Sequence, residues 1–184
     1  MGIFKVIRHT DGGYDYLNHA VNYVLYGKAD YDCIGSPNTS LEYPLEQMHY
    51  VKKYFDKTSG NPLFHFIVVY NTRTAHNVER AKYISRCIAD YFADRYQIIW
   101  CVHEKRMSKK YGSISSMYHA HFVMNSVSYI DGRMFCGDYT EIYTFLDYIK
   151  RVTGDISWMV KYGSDKDKTY EMICEYNTIK LNNI

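Results

Sequence analysis

The sequence predicts an α+β domain built on a central, largely antiparallel sheet flanked by helices. Three observations carry that reading. Strand-like and helix-like runs come in mixed order rather than as strict strand–helix repeats. Two strand-like runs, 96–103 and 118–128, follow one another with only a loop between them and read as hairpin neighbours. The chain has 184 residues, enough to bury a core of its own, so residues 1–184 are taken as one domain.

The elements follow in order. Ile3 to Arg8 alternates apolar and basic residues and reads as a strand. Asp11, Gly12 and Gly13 mark a turn, after which Leu17, Ala20, Val21, Val24 and Leu25 recur at helical spacing within Tyr14 to Tyr26. Gly27 stops that helix, and Asp30 to Thr39 reads as loop. Pro44 suits a helix start, so a helix runs from there through Phe55. Leu63 to Tyr70 is dense in β-branched and aromatic residues and predicts a buried strand. Asn77 can cap a helix over Val78 to Ala93 with Ala81, Ile84, Ile88, Ala89 and Phe92 on one face. The strands Tyr96 to His103 and Tyr118 to Ser128 flank a basic Gly/Ser loop, Glu104 to Met117. Asp131-Gly132 is a hairpin signal, a helix spans Thr140 to Val152, and one more strand is read at Met172 to Tyr176.

Composition narrows the function. The net charge of +2 does not mark a general nucleic-acid binder, but Lys105, Arg106, Lys109 and Lys110 crowd one segment that can hold phosphates. The 21 tyrosines supply faces for stacking on bases and hydroxyls that can act as nucleophiles. Five cysteines, without a CxxC pair, argue against a disulfide framework and for a reducing compartment. No run approaches a membrane span, and a cytoplasmic location is expected.

The chemistry concentrates at His119-Ala120-His121. On a strand, the two imidazoles point to one face, roughly 7 Å apart. His103, at the end of the neighbouring strand, can join them, and three histidines leave a divalent cation open positions for substrate. Asn125, on the same face as His121, and Glu104, beside His103, are candidates to orient these ligands. His65 reads as a core or network residue of its strand. The helix Tyr14 to Tyr26 presents Tyr16, Tyr23 and Tyr26 as nucleophiles, and residue pattern alone does not choose among them.

These motifs resemble a known family. His103, His119-Ala120-His121 and Asn125-Ser126-Val127, followed by Gly132-Arg133-Met134-Phe135, are similar to the three-histidine region of MOBP-type relaxases of plasmids and integrative elements. These mobilization nucleases belong to the HUH endonuclease class. Ala20-Val21-Asn22-Tyr23 with Lys28 resembles their first motif, and Phe64-His65-Phe66-Ile67-Val68 a following strand. The resemblance covers about residues 15 to 153.

It implies Tyr23 as the nucleophile (Tyr26 as the alternative), His103, His119 and His121 as metal ligands, and Mn2+ or Mg2+ rather than Zn2+. It implies nicking of single-stranded DNA beside a hairpin at an origin of transfer, leaving a 5′-phosphotyrosyl link for conjugation or mobilization. Lys28, Lys105, Arg106, Lys109 and Lys110 would contact DNA. Accessory mobilization proteins, a coupling protein and a bacterial cytoplasmic setting follow, with the chain as the N-terminal part of a longer protein in some members. Three other readings remain: a non-catalytic module that binds origin DNA, a rolling-circle replication initiator, whose tyrosine usually lies downstream of the histidines, and a structural metalloprotein whose histidines close a site with no exposed position.

Overall fold

The computed structural model describes residues 2–7, 14–27, 29, 31–106 and 116–163. Its elements are β1 (Gly2–Ile7), α1 (Tyr14–Tyr26), β2 (Ile34–Gly35), α2 (Pro44–Tyr54), β3 (Leu63–Val69), α3 (Val78–Asp90), β4 (Ile98–Arg106), β5 (Ser116–Asn125), α4 (Tyr139–Thr153) and β6 (Trp158–Gly163). The strands form one open sheet in the order β2-β4-β5-β3-β1-β6. Every pairing is antiparallel except that of β1 with β6. The fold is α+β, as the residue pattern indicated. Among the described residues no helix is long and apolar enough to cross a membrane.

Both faces of the sheet are covered, which is why β3 is buried at every position and shows no polar alternation. On one face α3 and α4 pack against Phe4, Phe66, Trp100, Ala120 and Phe122. Phe66 and Phe122 stack at the centre with ring centroids 4.6 Å apart. On the other face Leu17, Ala20, Val21 and Val24 of α1 and Met48 of α2 close over Leu63, Ile99, Cys101 and Val123. Side chains alternate along a strand, so each of β4 and β5 serves both cores. Local signals set the helix ends. Asn77 accepts a hydrogen bond from the Arg80 amide, and Asp138 with Glu141 forms a capping box before α4. Gly154 ends α4 in the left-handed conformation, φ 66°.

One buried charge stands out in α2. Lys52 is 2 % exposed, and its ammonium donates to Ser126 Oγ at 2.9 Å. Burial lowers its pKa to about 8. Holding the charged form inside therefore costs about 3 kcal/mol below pH 8. Between pH 8 and 10 the folded protein sheds a proton that the unfolded chain keeps, so stability rises with pH there. Lys52→Met should accordingly raise stability by about 1–3 kcal/mol at pH 7, with the gain shrinking toward pH 10. Urea denaturation of both proteins at pH 7, 8.5 and 10 checks this; a gain that is constant across pH contradicts it.

Several boundaries differ from the sequence reading. β4 does not end at His103 but runs to Arg106, and β5 starts at Ser116, with Lys105 opposite Met117 and Arg106 opposite Ser116. Polar side chains hid this extension, because ladder hydrogen bonds need only backbone. β5 ends at Asn125 instead of Ser128; beyond it Val127 and Met134 make an isolated bridge around the Asp131-Gly132 turn. The loop 30–39 contains the two-residue strand β2. β6 was not anticipated: it is a half-buried edge strand without clean alternation. The expected strand at Met172 to Tyr176 lies outside the described residues.

Candidate active site

The β4–β5 hairpin brings the three histidines together through its register. His103 stands directly opposite His119, and Cys101 opposite His121. Residues 101, 103, 119 and 121 therefore share one face, the one beneath α1. The ring centroids are 5.2 Å apart for His103–His119, 5.0 Å for His103–His121 and 5.3 Å for His119–His121. One donor atom from each lies within 4.8 Å of the others. Between the histidines, Ala120 turns to the opposite core and is fully buried there. His121 is itself buried, and its Nδ1 has no hydrogen-bond partner. Burial, then the neighbouring His119, His65 and His103, push its pKa well below the usual histidine range. The ring is neutral at pH 7, the form a ligand needs.

α1 lays a tyrosine over this cluster. The Tyr23 ring meets His121 at 5.0 Å and His103 at 5.6 Å between centroids, both edge-on. It is 39 % exposed, so one side reaches solvent. Burial, then the Cys101 thiol, raise the phenol pKa above its ordinary value. Tyr23 is therefore protonated at neutral pH. A tyrosine packed on two of three converging imidazoles and open on one side can attack an electrophile held at the histidines.

A family model described as the relaxase MobA/VirD2-like nuclease domain matches residues 6–156. The chain belongs to the relaxase family. No curated protein and no solved structure matches it. Membership supports a DNA-nicking nuclease in general terms, and the histidine cluster is where such an enzyme can hold a metal.

The relaxase does not use every anticipated residue as expected. Among the described residues, Asn125 makes its hydrogen bonds away from the histidines. It is fully buried, its amide donates to Met48 O at 3.1 Å and Gln97 Oε1 at 2.9 Å, and its Oδ1 accepts from the Val127 amide. It ties α2 to the end of the sheet, two pleats from His121. Glu104 also faces away: it is exposed and alternates to the side opposite His103. Tyr26, at 76 % exposure, points away into solvent. Lys28, Lys109 and Lys110 lie outside the described residues. Lys105 and Arg106 are described only as backbone at the end of β4.

Two more residues stand beside the histidines, and of these Cys101 was not anticipated. Cys101 Sγ lies 3.6 Å from His103 Nε2, and burial pushes the thiol pKa up to about 12. The residue two before a ligand on the same strand always shares its face, and that signal was in the sequence. His65, read as a core or network residue, sits 5.8 Å from His121 between centroids, and its Nδ1 is hydrogen-bonded to the Tyr16 hydroxyl at 2.7 Å. Nothing local in the sequence joins residues 16, 65 and 121.

Proposed function

We propose that this relaxase nicks single-stranded DNA at an origin of transfer by transesterification, with Tyr23 as its nucleophile. The observation that carries the reading is the Tyr23 ring packed edge-on against His103 and His121, open to solvent on its other side. The Tyr23 Oη–phosphorus bond forms as its O–H bond breaks. The P–O3′ bond breaks with its electron pair on the 3′ oxygen, which takes up a proton. The product is a 5′-phosphotyrosyl link with a free 3′-hydroxyl, and the same steps reversed rejoin the strand.

The donor set fits a divalent cation. Three imidazole nitrogens converge, and the buried Nδ1 of His121 has no protein partner. His103, His119 and His121 would hold the ion, which when bound would neutralise charge developing on the phosphate oxygens. We take Mn2+ or Mg2+ from the family likeness, although imidazole ligands favour later metals such as zinc. Lys28, Lys105, Arg106, Lys109 and Lys110 are proposed as backbone contacts, which makes affinity fall with salt. Residues 1–184 are proposed to act as one nuclease domain, with accessory mobilization and coupling proteins as partners in the bacterial cytoplasm.

The test is a denaturing gel after incubation with single-stranded origin DNA and Mn2+. A covalent adduct that maps to Tyr23 is expected. Tight origin binding without adduct would instead favour the non-catalytic module.

The helix end supplies a further prediction. A Cβ on Gly27 would lie 2.2 Å from the Tyr23 carbonyl oxygen, which accepts a hydrogen bond from the Gly27 amide at 3.1 Å. Backbone must move to admit it, and the atom it presses on belongs to the backbone of the nucleophile. Gly27→Ala should slow adduct formation about tenfold or more, since misplacement by 1 Å is enough for such a loss. Single-turnover kinetics check this, and an unchanged rate refutes it.

A further inference from the structure

Tyr16 and Tyr23 lie seven residues apart on α1, two helical turns, so they project from nearly the same face about 10 Å apart along the axis. Tyr23 reaches His103 and His121. Tyr16 reaches His65 on β3, with its hydroxyl 2.7 Å from Nδ1 and the rings near parallel at 28°. Among the described residues, α1 also packs on the sheet through the apolar side chains of Leu17, Ala20, Val21 and Val24. Apolar contacts are non-directional and set the position of a helix less sharply than a hydrogen bond, whose length and angle are restricted. A tyrosine hydroxyl stands roughly 9 Å from its helix axis, so a roll of about 20° would carry it roughly 3 Å. That displacement is large against the tolerance of an attacking group.

We infer that the Tyr16–His65 hydrogen bond is a positioning device that pins α1 to β3 and so fixes where Tyr23 stands over the three histidines. The inference rests on Tyr23 being the nucleophile, and it assigns Tyr16 and His65 no contact with the scissile phosphate.

The test compares wild type with Tyr16→Phe, which removes one oxygen. Three quantities are read: the single-turnover adduct rate at saturating DNA, the Mn2+ dissociation constant by calorimetry, and the 19F resonance of 3-fluorotyrosine placed at position 23. The expected result is a rate at least tenfold lower and a moved 19F signal, because the ring currents of His103 and His121 fall on a displaced ring. Mn2+ affinity and the DNA concentration for half-saturation stay within twofold. Tyr83→Phe, on the solvent face of α3, serves as the control. His65→Asn replaces Tyr16→Phe if the latter does not fold, and the double variant should be no slower than the slower single one, since both remove one bond. A rate within twofold of wild type with an unmoved signal overturns the inference, as does a rate loss matched by loss of Mn2+ affinity. If wild type forms no adduct, the nicking reading fails, while the 19F signal still decides whether the pin holds Tyr23.

Discussion

Tyr23→Phe is expected to abolish the covalent DNA adduct, lowering its rate of formation by about a thousandfold or more, while leaving origin binding and Mn2+ affinity within about twofold. The substitution removes only the hydroxyl; the ring that packs on His103 and His121 at 5.6 and 5.0 Å stays in place. Loss of reaction with binding retained therefore isolates the attacking atom. The environment also sets the pH dependence of the wild type. Burial and the Cys101 thiol both raise the Tyr23 pKa, so the reactive phenolate is scarce at neutral pH and grows about tenfold per unit. The adduct rate at saturating metal should climb from pH 7 to pH 9 without a plateau. Persistence of the adduct in Tyr23→Phe together with its loss in Tyr26→Phe would move the nucleophile to an exposed ring. Persistence in both would remove α1 from the chemistry.

How far the site could be read from sequence follows from the range of the interactions. Alternation along a strand is a local rule, and it placed His119 and His121 on one face correctly. The same rule contained Cys101, two residues before His103, and excluded Glu104, one residue after it. Asn125 shows its limit: the residue shares a face with His121, but the partner on that face at that height is α2, through Met48 O. Strand pattern gives the face and not the helix that covers it. Heptad spacing on α1 made Tyr16 and Tyr23 neighbours, yet their targets lie on β3 and the β4–β5 hairpin, and only the sheet order brings those together. Fold class survived because both cores are strongly apolar. β6 escaped because a half-buried edge strand has no pattern to betray it.

His121→Leu is the second large effect, and it separates function from stability. His121 is a buried ring at the centre of the cluster, with Tyr23, His103, His119 and His65 around it at 5.0 to 5.8 Å between centroids. Removing it takes away one of three ligands, so Mn2+ affinity should fall by more than about a hundredfold, beyond the range typical of lost supporting contacts. The adduct should be lost with it. The metal-free protein should respond in the opposite sense. Its buried Nδ1 lacks a partner, a deficit of about 1–2 kcal/mol that leucine does not carry. Because the folded ring resists protonation, the unfolded chain binds a proton that the fold refuses below about pH 6.5, and stability falls as pH drops through that point. His121→Leu should therefore be more stable than wild type in EDTA at pH 7, and the gap should widen at pH 5. Urea denaturation with and without Mn2+ reads both effects. A variant that is less stable than wild type in EDTA at both pH values would mean that His121 is held by packing for the fold, not kept neutral and unpaired for a cation.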